Sequence, residues 1–336
     1  MANVLITGFL GMVGSHLADF IYTKTNCNIY GFCRWNESME NIEHLTEIIN
    51  KKDRIELIYG DLNDYASITS AIEKSKPDYV FHLGAQSYPQ TSFDSPIETL
   101  NTNIIGTANL LEALRKSNYK NSTIHICASS EIFGRVPKDK LPIDEECSVH
   151  PASPYAISKV GTDLLGRYYA EAYDMTVMTT RMFTHTGPRR GDVFHESTFA
   201  KQIAMIEAGI QKPEILVGNL DSLRTYADVR DAVRAYWMLV NFNPVKGEYY
   251  NIGGTYTCKV GDTLNYLLSK SKVKNIEVKV DPDRLRPIDA DLQVPNTKKF
   301  RDHTGWEPVY TFEETMDDLL EYWRNKINGG RKYLNR

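Results

Sequence analysis

Asn3-Val4-Leu5-Ile6-Thr7-Gly8-Phe9-Leu10-Gly11-Met12-Val13-Gly14 opens the chain and decides how the rest is read. A short apolar run enters a turn with glycine at every third position, and a helical pattern follows. Missing side chains let the backbone N–H groups of such a turn approach an anion, and the positive end of the following helix favours negative charge there. By itself the spacing also suits any tight turn. After the first strand of a strand–helix–strand pattern it predicts a dinucleotide pyrophosphate site, with Gly8, Gly11 and Gly14 as its cradle. The same stretch lacks a basic flank and is interrupted by glycines, so it reads as neither a signal peptide nor a membrane span.

Working outward, Asn28–Cys33, Ile55–Tyr59, Tyr79–Leu83 and Ile124–Ala128 repeat the pattern, each ahead of a segment with helical spacing. Near-continuous Val, Ile, Leu and Phe implies strands covered on both faces, hence an α/β chain with a doubly wound parallel sheet. After about residue 185 the rhythm changes. Pro188, Pro213, Pro244, Pro282, Pro287, Pro295 and Pro308 divide the chain into shorter, mixed pieces, which predicts a smaller, mixed α/β C-terminal lobe. The division expected is 1–185 for the nucleotide-binding domain, with a returning segment near 225–255, and 186–330 mainly for the substrate lobe. The helix expected over Asp228–Leu239 lies in the returning part.

The 336 residues carry Lys+Arg 39 against Asp+Glu 43, a formal charge of -4 with both signs interleaved. No basic stripe suits a phosphate backbone, so nucleic acid is not an expected partner, and neither is a membrane. Cys27, Cys33, Cys127, Cys147 and Cys258 are scattered and never in C-x-x-C spacing. That argues against disulfides and zinc, predicts no metal, and fits the reducing cytoplasm.

Arg34 ends the second strand, where an NAD site offers an acidic residue to the ribose 2′-OH; a cation suits the 2′-phosphate of NADP, although a solvated loop arginine would look the same. Asp61 closes the third strand and is placed either to meet the adenine amino group or to serve as an ordinary turn aspartate. Tyr155 and Lys159 stand four apart on one helix face, where an ammonium can stabilise phenolate and make the tyrosine a base. Tyr266…Lys270 and Tyr322…Lys326 share the spacing and read as amphipathic surface helices. What favours Tyr155 is context: it follows the fifth strand, with Pro151 and Pro154 at the helix entry. That strand ends in Ser129-Ser130-Glu131, at the sheet edge where doubly wound folds bind ligands. A serine suffices to orient a carbinol oxygen. The carboxylate is either an exposed turn residue or the sign of a second proton transfer.

Together the glycine turn, Asp61-Leu62, Leu83-Gly84-Ala85-Gln86-Ser87, Ser129-Ser130-Glu131 and Tyr155…Lys159 resemble the extended short-chain dehydrogenase/reductase family, and most closely its GDP-mannose 4,6-dehydratases. The likeness continues through Asn41-Ile42-Glu43-His44-Leu45, Phe183-Thr184-His185, Gly187-Pro188-Arg189-Arg190-Gly191, Val217-Gly218-Asn219-Leu220, Arg230-Asp231 and Leu285-Arg286-Pro287. It implies a Rossmann sheet holding NADP, with Gly8, Leu10, Gly11, Met12, Val13, Gly14, Arg34, Asp61, Leu62, Leu83, Ala85, Gln86, Ser87, Tyr155, Lys159, His185 and Arg190 around the cofactor. For a GDP-sugar substrate it points to Ser87, Ser129, Glu131, Tyr155, Thr184, Lys201, Val217, Arg224 and Arg286. In the family's scheme Tyr155, its pKa lowered by Lys159, takes the C4 hydroxyl proton as hydride leaves for NADP+. Ser129 holds the oxygen, Glu131 removes the C5 proton and assists loss of the C6 hydroxyl, and the hydride returns to C6.

The resemblance has departures. Ser129 stands where the mannose enzymes carry Thr, Thr184 where they carry Asn, Thr186 where they carry Glu, and Phe133 where they carry Tyr. A related branch acts on GDP-D-glycero-α-D-manno-heptose, so mannose and heptose are both open. A GDP-4-keto-6-deoxyhexose 4-reductase shares the serine, tyrosine and lysine and is the nearest rival, ahead of a 4-epimerase. A non-catalytic dinucleotide-binding protein is the alternative from another class. The family also implies a homodimer or homotetramer, paired through two long helices over Asp94–Lys116 and Ser153–Tyr173.

Overall fold

The computed structural model describes residues 1–285 and 290–329. Seven strands form one parallel sheet: β1 (Asn3–Thr7), β2 (Asn28–Cys33), β3 (Ile55–Tyr59), β4 (Tyr79–His82), β5 (Thr123–Cys127), β6 (Val177–Met182) and, from much later in the chain, Tyr249–Ile252. Their spatial order is β3-β2-β1-β4-β5-β6 with Tyr249–Ile252 outside β6. This is the doubly wound Rossmann arrangement the sequence predicts. Crossover helices bury both faces, which is why the strands read as apolar throughout. Val4 and Ile6 face one layer with Leu17 and Ile21 of the helix Met12–Lys24 and with Val233 and Tyr236 of the helix Val229–Asn241. Leu5 faces the other, with Ile68, Leu110, Leu114 and Tyr169.

In the second half, β7 (His185–Thr186), β8 (Glu214–Val217) and β9 (Leu223–Asp228) precede the sheet's seventh strand, which is therefore β10; β11 (Tyr256–Lys259), β12 (Glu277–Val280) and β13 (Leu292–Gln293) follow it. β9 pairs antiparallel with β11 and parallel with β7 and β13, while β8 pairs with β12. Phe199, Ile203, Leu264, Leu319 and Trp323, from the helices His195–Glu207, Val260–Ser269 and Phe312–Asn328, form a separate core beneath them. Asp231 joins the two parts: its Oδ2 accepts the Val309 and Tyr310 N–H groups at 2.9 and 3.0 Å, and its carbonyl accepts the Trp306 indole N–H.

The helix expected over Asp228–Leu239 runs Val229–Asn241, with Asp228 as its N-cap accepting from the Arg230 N–H. The helix expected over Asp94–Lys116 is broken. Pro96 starts a new turn after Ser95, and Asn101–Ile105 widens into a π turn before Gly106–Lys116. There the Asn103 side chain leaves the helix surface for the loop at Gln86. The helix Pro154–Tyr173 is continuous; Pro154 suits its first turn, and Ser153 caps it by accepting the Ala156 N–H at 3.0 Å. Among the described residues no helix is long and apolar enough to cross a membrane.

Candidate active site

A cleft of about 830 Å³ runs over the carboxyl ends of the parallel strands. Its floor begins at the glycine turn. Gly8 has φ +67, and a Cβ there would lie 2.7 Å from the Gly84 nitrogen, so the turns after β1 and β4 meet backbone to backbone. A Cβ on Gly14 would come within 2.3 Å of the Gly8 carbonyl oxygen, which is why the helix can start so close under the turn. Leu10, Gly11, Met12 and Val13 line the same end. A Cβ on Gly11 would approach only the Gly8 carbonyl, at 3.3 Å, which leaves that side of the turn free for a bound pyrophosphate. The residues present therefore fit a dinucleotide.

Beyond the turn the wall carries Arg34, Asp61, Leu62, Leu83, Ala85, Gln86 and Ser87. Arg34 is largely exposed and forms an ion pair with Glu37 at 3.7 Å, so the cation stands at the rim beside an acidic neighbour. Asp61 lines the cleft and also accepts the Asn63 N–H at 2.8 Å, an Asx turn. The Gln86 side chain is spent on the protein itself: it donates to the Tyr88 carbonyl and to the Thr99 hydroxyl of the helix Pro96–Leu100, and accepts the Tyr88 N–H.

The reactive groups sit where β5 ends. Ser129 adopts extended backbone, caps the short turn Ser130–Phe133, and accepts the Glu131 N–H at 3.2 Å, which sets Glu131 on the cleft wall. The Tyr155 phenol, on the first turn of the helix Pro154–Tyr173, faces the Ser129 side chain across the cleft wall. Burial pushes its pKa well up; Ser129 and the Arg190 guanidinium act to lower it, while Cys127 and Glu131 add to the rise. Lys159 is held differently from the expectation. Its ammonium lies 6.0 Å from the Tyr155 ring centroid and donates to the Cys127 carbonyl at 2.8 Å. A buried ammonium needs an acceptor, and the end of β5 supplies one one turn below the phenol. Burial also lowers the Lys159 pKa. In this geometry the cations flanking the phenol are Arg190 on one side and Lys159 below.

Thr184, His185, Arg190 and Arg224 line the opposite wall. His185 faces the Phe183 carbonyl at 3.2 Å, and burial and Arg190 bring its pKa down to about 4. Arg224 donates to the Ala290 carbonyl at 2.7 Å. Two expected substrate contacts lie elsewhere. Lys201 is turned into the lobe, where it meets Asp192 at 3.0 Å, and Val217 is fully buried in the lobe's apolar core. Both come from elements whose inner face is that core, so their place beside the family's motifs does not bring their side chains to the cleft. Arg286 lies outside the described residues.

Sequence reading missed several groups. Glu196 is fully buried yet borders the cleft, 3.3 Å from the Arg190 Nε and 3.2 Å from the His195 Nδ1. Burial acts to raise its pKa, but His195 and Arg190 hold the carboxyl below its ordinary value. The Arg190 guanidinium carbon lies 3.4 Å from the Phe194 ring centroid. Arg189 reaches back to Asp19 on the first helix at 2.5 Å, and Asn41 donates to the Leu10 carbonyl at 2.9 Å. Glu196 sits in the polar helix start His195-Glu196-Ser197-Thr198, so nothing local marked its burial.

A Rossmann cleft that pairs a dinucleotide turn with Ser129, Glu131, Tyr155 and Lys159 defines a nucleotide-sugar dehydratase or epimerase type of enzyme. The sequence profile of the family described as GDP-mannose 4,6 dehydratase matches residues 5–319, and the chain belongs to that family. It is 28% identical over 350 residues to a GDP-mannose 4,6-dehydratase of Yersinia enterocolitica, covering 95% of this chain and 93% of the relative. It is 32% identical over 325 residues to a GDP-6-deoxy-D-mannose reductase of Pseudomonas aeruginosa, covering 97% and 98%. The structure of RMD from Pseudomonas aeruginosa complexed with NADPH superposes with a TM-score of 0.81 at 27% identity, covering 97% of this chain and all of the other. A Thermotoga maritima UDP-glucose 4-epimerase with UDP-glucose gives 0.83 at 25%, covering 97% and 99%.

Proposed function

We propose that the protein is an NADP-dependent 4,6-dehydratase that converts GDP-mannose or GDP-D-glycero-α-D-manno-heptose to the 4-keto-6-deoxy sugar nucleotide. The observation that carries this reading is Glu131 on the same wall as Ser129, Tyr155 and Lys159. Alcohol oxidation at C4 needs one proton acceptor, and Tyr155 suffices; loss of water across C5 and C6 needs a second, and Glu131 is a carboxylate on the cleft wall at the carboxyl edge of the sheet.

When bound, the nicotinamide accepts a hydride from C4 and later supplies it to C6, so the net redox change is nil. The residues do the rest. Ser129 and Tyr155 hold the C4 oxygen between two hydroxyls, and Tyr155 takes its proton. Its phenol is buried and costly to ionise, so Lys159 and Arg190 must offset the charge that forms on it. The 4-keto group acidifies C5–H, Glu131 removes that proton, and the resulting carboxylic acid protonates the departing C6 hydroxyl; as hydride reaches C6, the proton that Tyr155 took from the C4 hydroxyl goes to C5, which restores both residues to their starting states. Arg224 and Arg190 suit the diphosphate through charge-assisted bonds. Arg34 is assigned to the 2′-phosphate, which favours NADP over NAD. Residues 1–185, with the returning segment near 225–255, form the cofactor domain in this proposal, and 186–330 mainly form the substrate lobe. We further assign the protein to the cytoplasm, as a homodimer joined through the helix face that leaves Ile157, Leu164 and Tyr168 about half exposed at helical spacing.

The 32% identity to a reductase favours one second reading, reduction of a GDP-4-keto-6-deoxyhexose at C4 with consumption of NADPH. One experiment separates them. Purified protein is incubated with GDP-mannose or with the GDP-manno-heptose, with only catalytic NADP+, and analysed by mass spectrometry. A product lighter by one water without net NADPH supports the dehydratase, and the preferred sugar names the substrate. No loss of water, with NADPH oxidised by a supplied 4-keto sugar, replaces it with the reductase.

A further inference from the structure

Behind the cleft runs a file of buried polar groups that none of the steps above uses. The Thr7, His82, Thr107, Asn103 and Ser158 side chains are each at most 3% exposed. The Gly84 N–H donates to the Thr7 hydroxyl at 3.0 Å, and that hydroxyl lies 2.8 Å from the His82 Nδ1. On the far side, the His82 Nε2 lies 2.9 Å from the Thr107 hydroxyl, which donates to the Asn103 carbonyl at 2.5 Å.

These contacts fix every proton in the file. A carbonyl oxygen only accepts, so the Thr107 hydrogen is committed to Asn103 and its oxygen must accept from His82 Nε2–H. A neutral imidazole then presents Nδ1 as an acceptor, and the Thr7 hydroxyl, already accepting from Gly84, donates to it. The direction runs without a break from the Gly84 N–H to the Asn103 carbonyl. Protonation at Nδ1 would set a donor against the Thr7 hydrogen. Burial is the largest cause that keeps the His82 pKa down near 3, and the Lys159 ammonium adds to it by opposing a positive charge on the ring.

Each end of the file rests on cleft machinery. Thr7 and Gly84 belong to the two turns in backbone contact at the pyrophosphate site. At the other end, the Asn103 amide accepts the Gln86 N–H at 2.8 Å and donates to the Gln86 carbonyl and the Ser158 hydroxyl. Ser158 in turn donates to the carbonyl of Tyr155 itself, at 2.6 Å. A residue that touches neither ligand thus joins the turn beneath the cofactor to the backbone that carries the base.

We propose that His82, as the neutral Nε2–H tautomer, is a positioning residue that fixes the spacing between the Gly8–Gly84 floor and the Tyr155 helix, and so the alignment for hydride transfer. This rests on the proposed reaction for its kinetic consequence; the tautomer and the coupling to cofactor binding stand apart from it.

The test uses Thr7→Val and Thr107→Val, which preserve shape and remove hydroxyls on opposite sides of the imidazole that do not hydrogen-bond to each other. In protein labelled with 15N-histidine, the ring spectrum of His82 is expected to show the Nε2–H tautomer at pH 7, to change on adding NADPH, and to keep Nε2–H in Thr7→Val, where the Thr107 hydroxyl still accepts it. An imidazolium or an Nδ1–H tautomer in the unsubstituted protein overturns the proposal. NADPH dissociation constants are then measured for both variants and the pair. Each single change is expected to weaken binding by roughly three- to tenfold, and the double variant to be no weaker than the worse single one; multiplicative losses would show that the imidazole does not couple the two hydroxyls. Given turnover, Thr107→Val is expected to lower kcat by about tenfold with the sugar-nucleotide KM within about twofold, because misalignment costs rate more than binding. A change in KM alone overturns the alignment role. Absence of turnover in the unsubstituted protein refutes the proposed reaction and leaves the spectrum and the binding cycle to decide this one.

Discussion

Three helices of this protein carry tyrosine and lysine four residues apart, and they divide into two kinds. In the lobe, Lys326 donates to the Tyr322 hydroxyl at 3.1 Å and also meets Glu40 at 2.7 Å, while Lys270 lies 4.9 Å from the Tyr266 ring and shares Asp317 with its phenol. In the cleft, Tyr155 and Lys159 are buried, and Lys159 is spent on the Cys127 carbonyl. In the lobe, where each pair has a carboxylate within reach, the ammonium settles on its tyrosine and that carboxylate. Where water is excluded, the strand end captures it first, and the phenol depends on Ser129 and Arg190. Spacing brings the two groups to one helix face; burial decides what they do there.

The strongest way to break this contrast is substitution of the phenols. Tyr155→Phe is expected to lower turnover in the proposed reaction by about 10³–10⁴-fold with NADPH binding retained, whereas Tyr266→Phe and Tyr322→Phe keep turnover within about twofold. Steady-state assays on the three variants decide it, and an equal loss in all three would refute the distinction. Glu131→Gln sharpens it within the cleft. Turnover falls by about 10²–10³-fold, yet enzyme-bound cofactor still becomes reduced on mixing with substrate, seen as absorbance at 340 nm without loss of water. Failure of both steps would place Glu131 in binding rather than in the second proton transfer.

Acid should also separate the two regions. Burial is the largest cause bringing His16 and His185 down to about 4 and His82 and His125 to about 3. Above pH 6.5 neither folded nor unfolded chain protonates them, and their contribution is complete. Between 6.5 and their folded values the unfolded chain takes up protons that the native one refuses. Stability therefore falls with falling pH, by about 1.4 kcal/mol per unit for each histidine. Urea unfolding at pH 7, 6 and 5 measures the slope; a flat profile would mean that these rings accept protons in place. The smallest effect belongs to the exposed pair, where Lys270→Met is expected to shift the thermal midpoint by no more than about 2 °C and less at high salt.

Much of the fold was legible because a parallel sheet covered on both faces leaves a one-dimensional trace: apolar runs, helical spacing and glycine at the first turn. That Ser129, Glu131, Tyr155 and Lys159 share one cleft was legible for a related reason, since they lie on two short stretches at the ends of consecutive elements. Partner choice was not. Lys159 preferring a carbonyl, Gln86 being spent on the protein itself, and Val217 and Lys201 facing the lobe depend on which atoms burial brings together. Glu196 and His82 show the same limit. Each lies in an ordinary local pattern, and its significance comes from groups far away in sequence.

The position of β10 has a consequence for how the chain is made. Every residue of β6 is buried in the finished protein, yet its outer neighbour in the sheet is Tyr249–Ile252, encoded more than sixty residues later. While the intervening segment emerges from the ribosome, the growing sheet presents β6, a strand of mixed side chains that the finished protein buries, with unpaired backbone groups, the kind of edge on which other chains add. The vulnerable product of interrupted synthesis is therefore a nearly complete Rossmann sheet still waiting for its last strand.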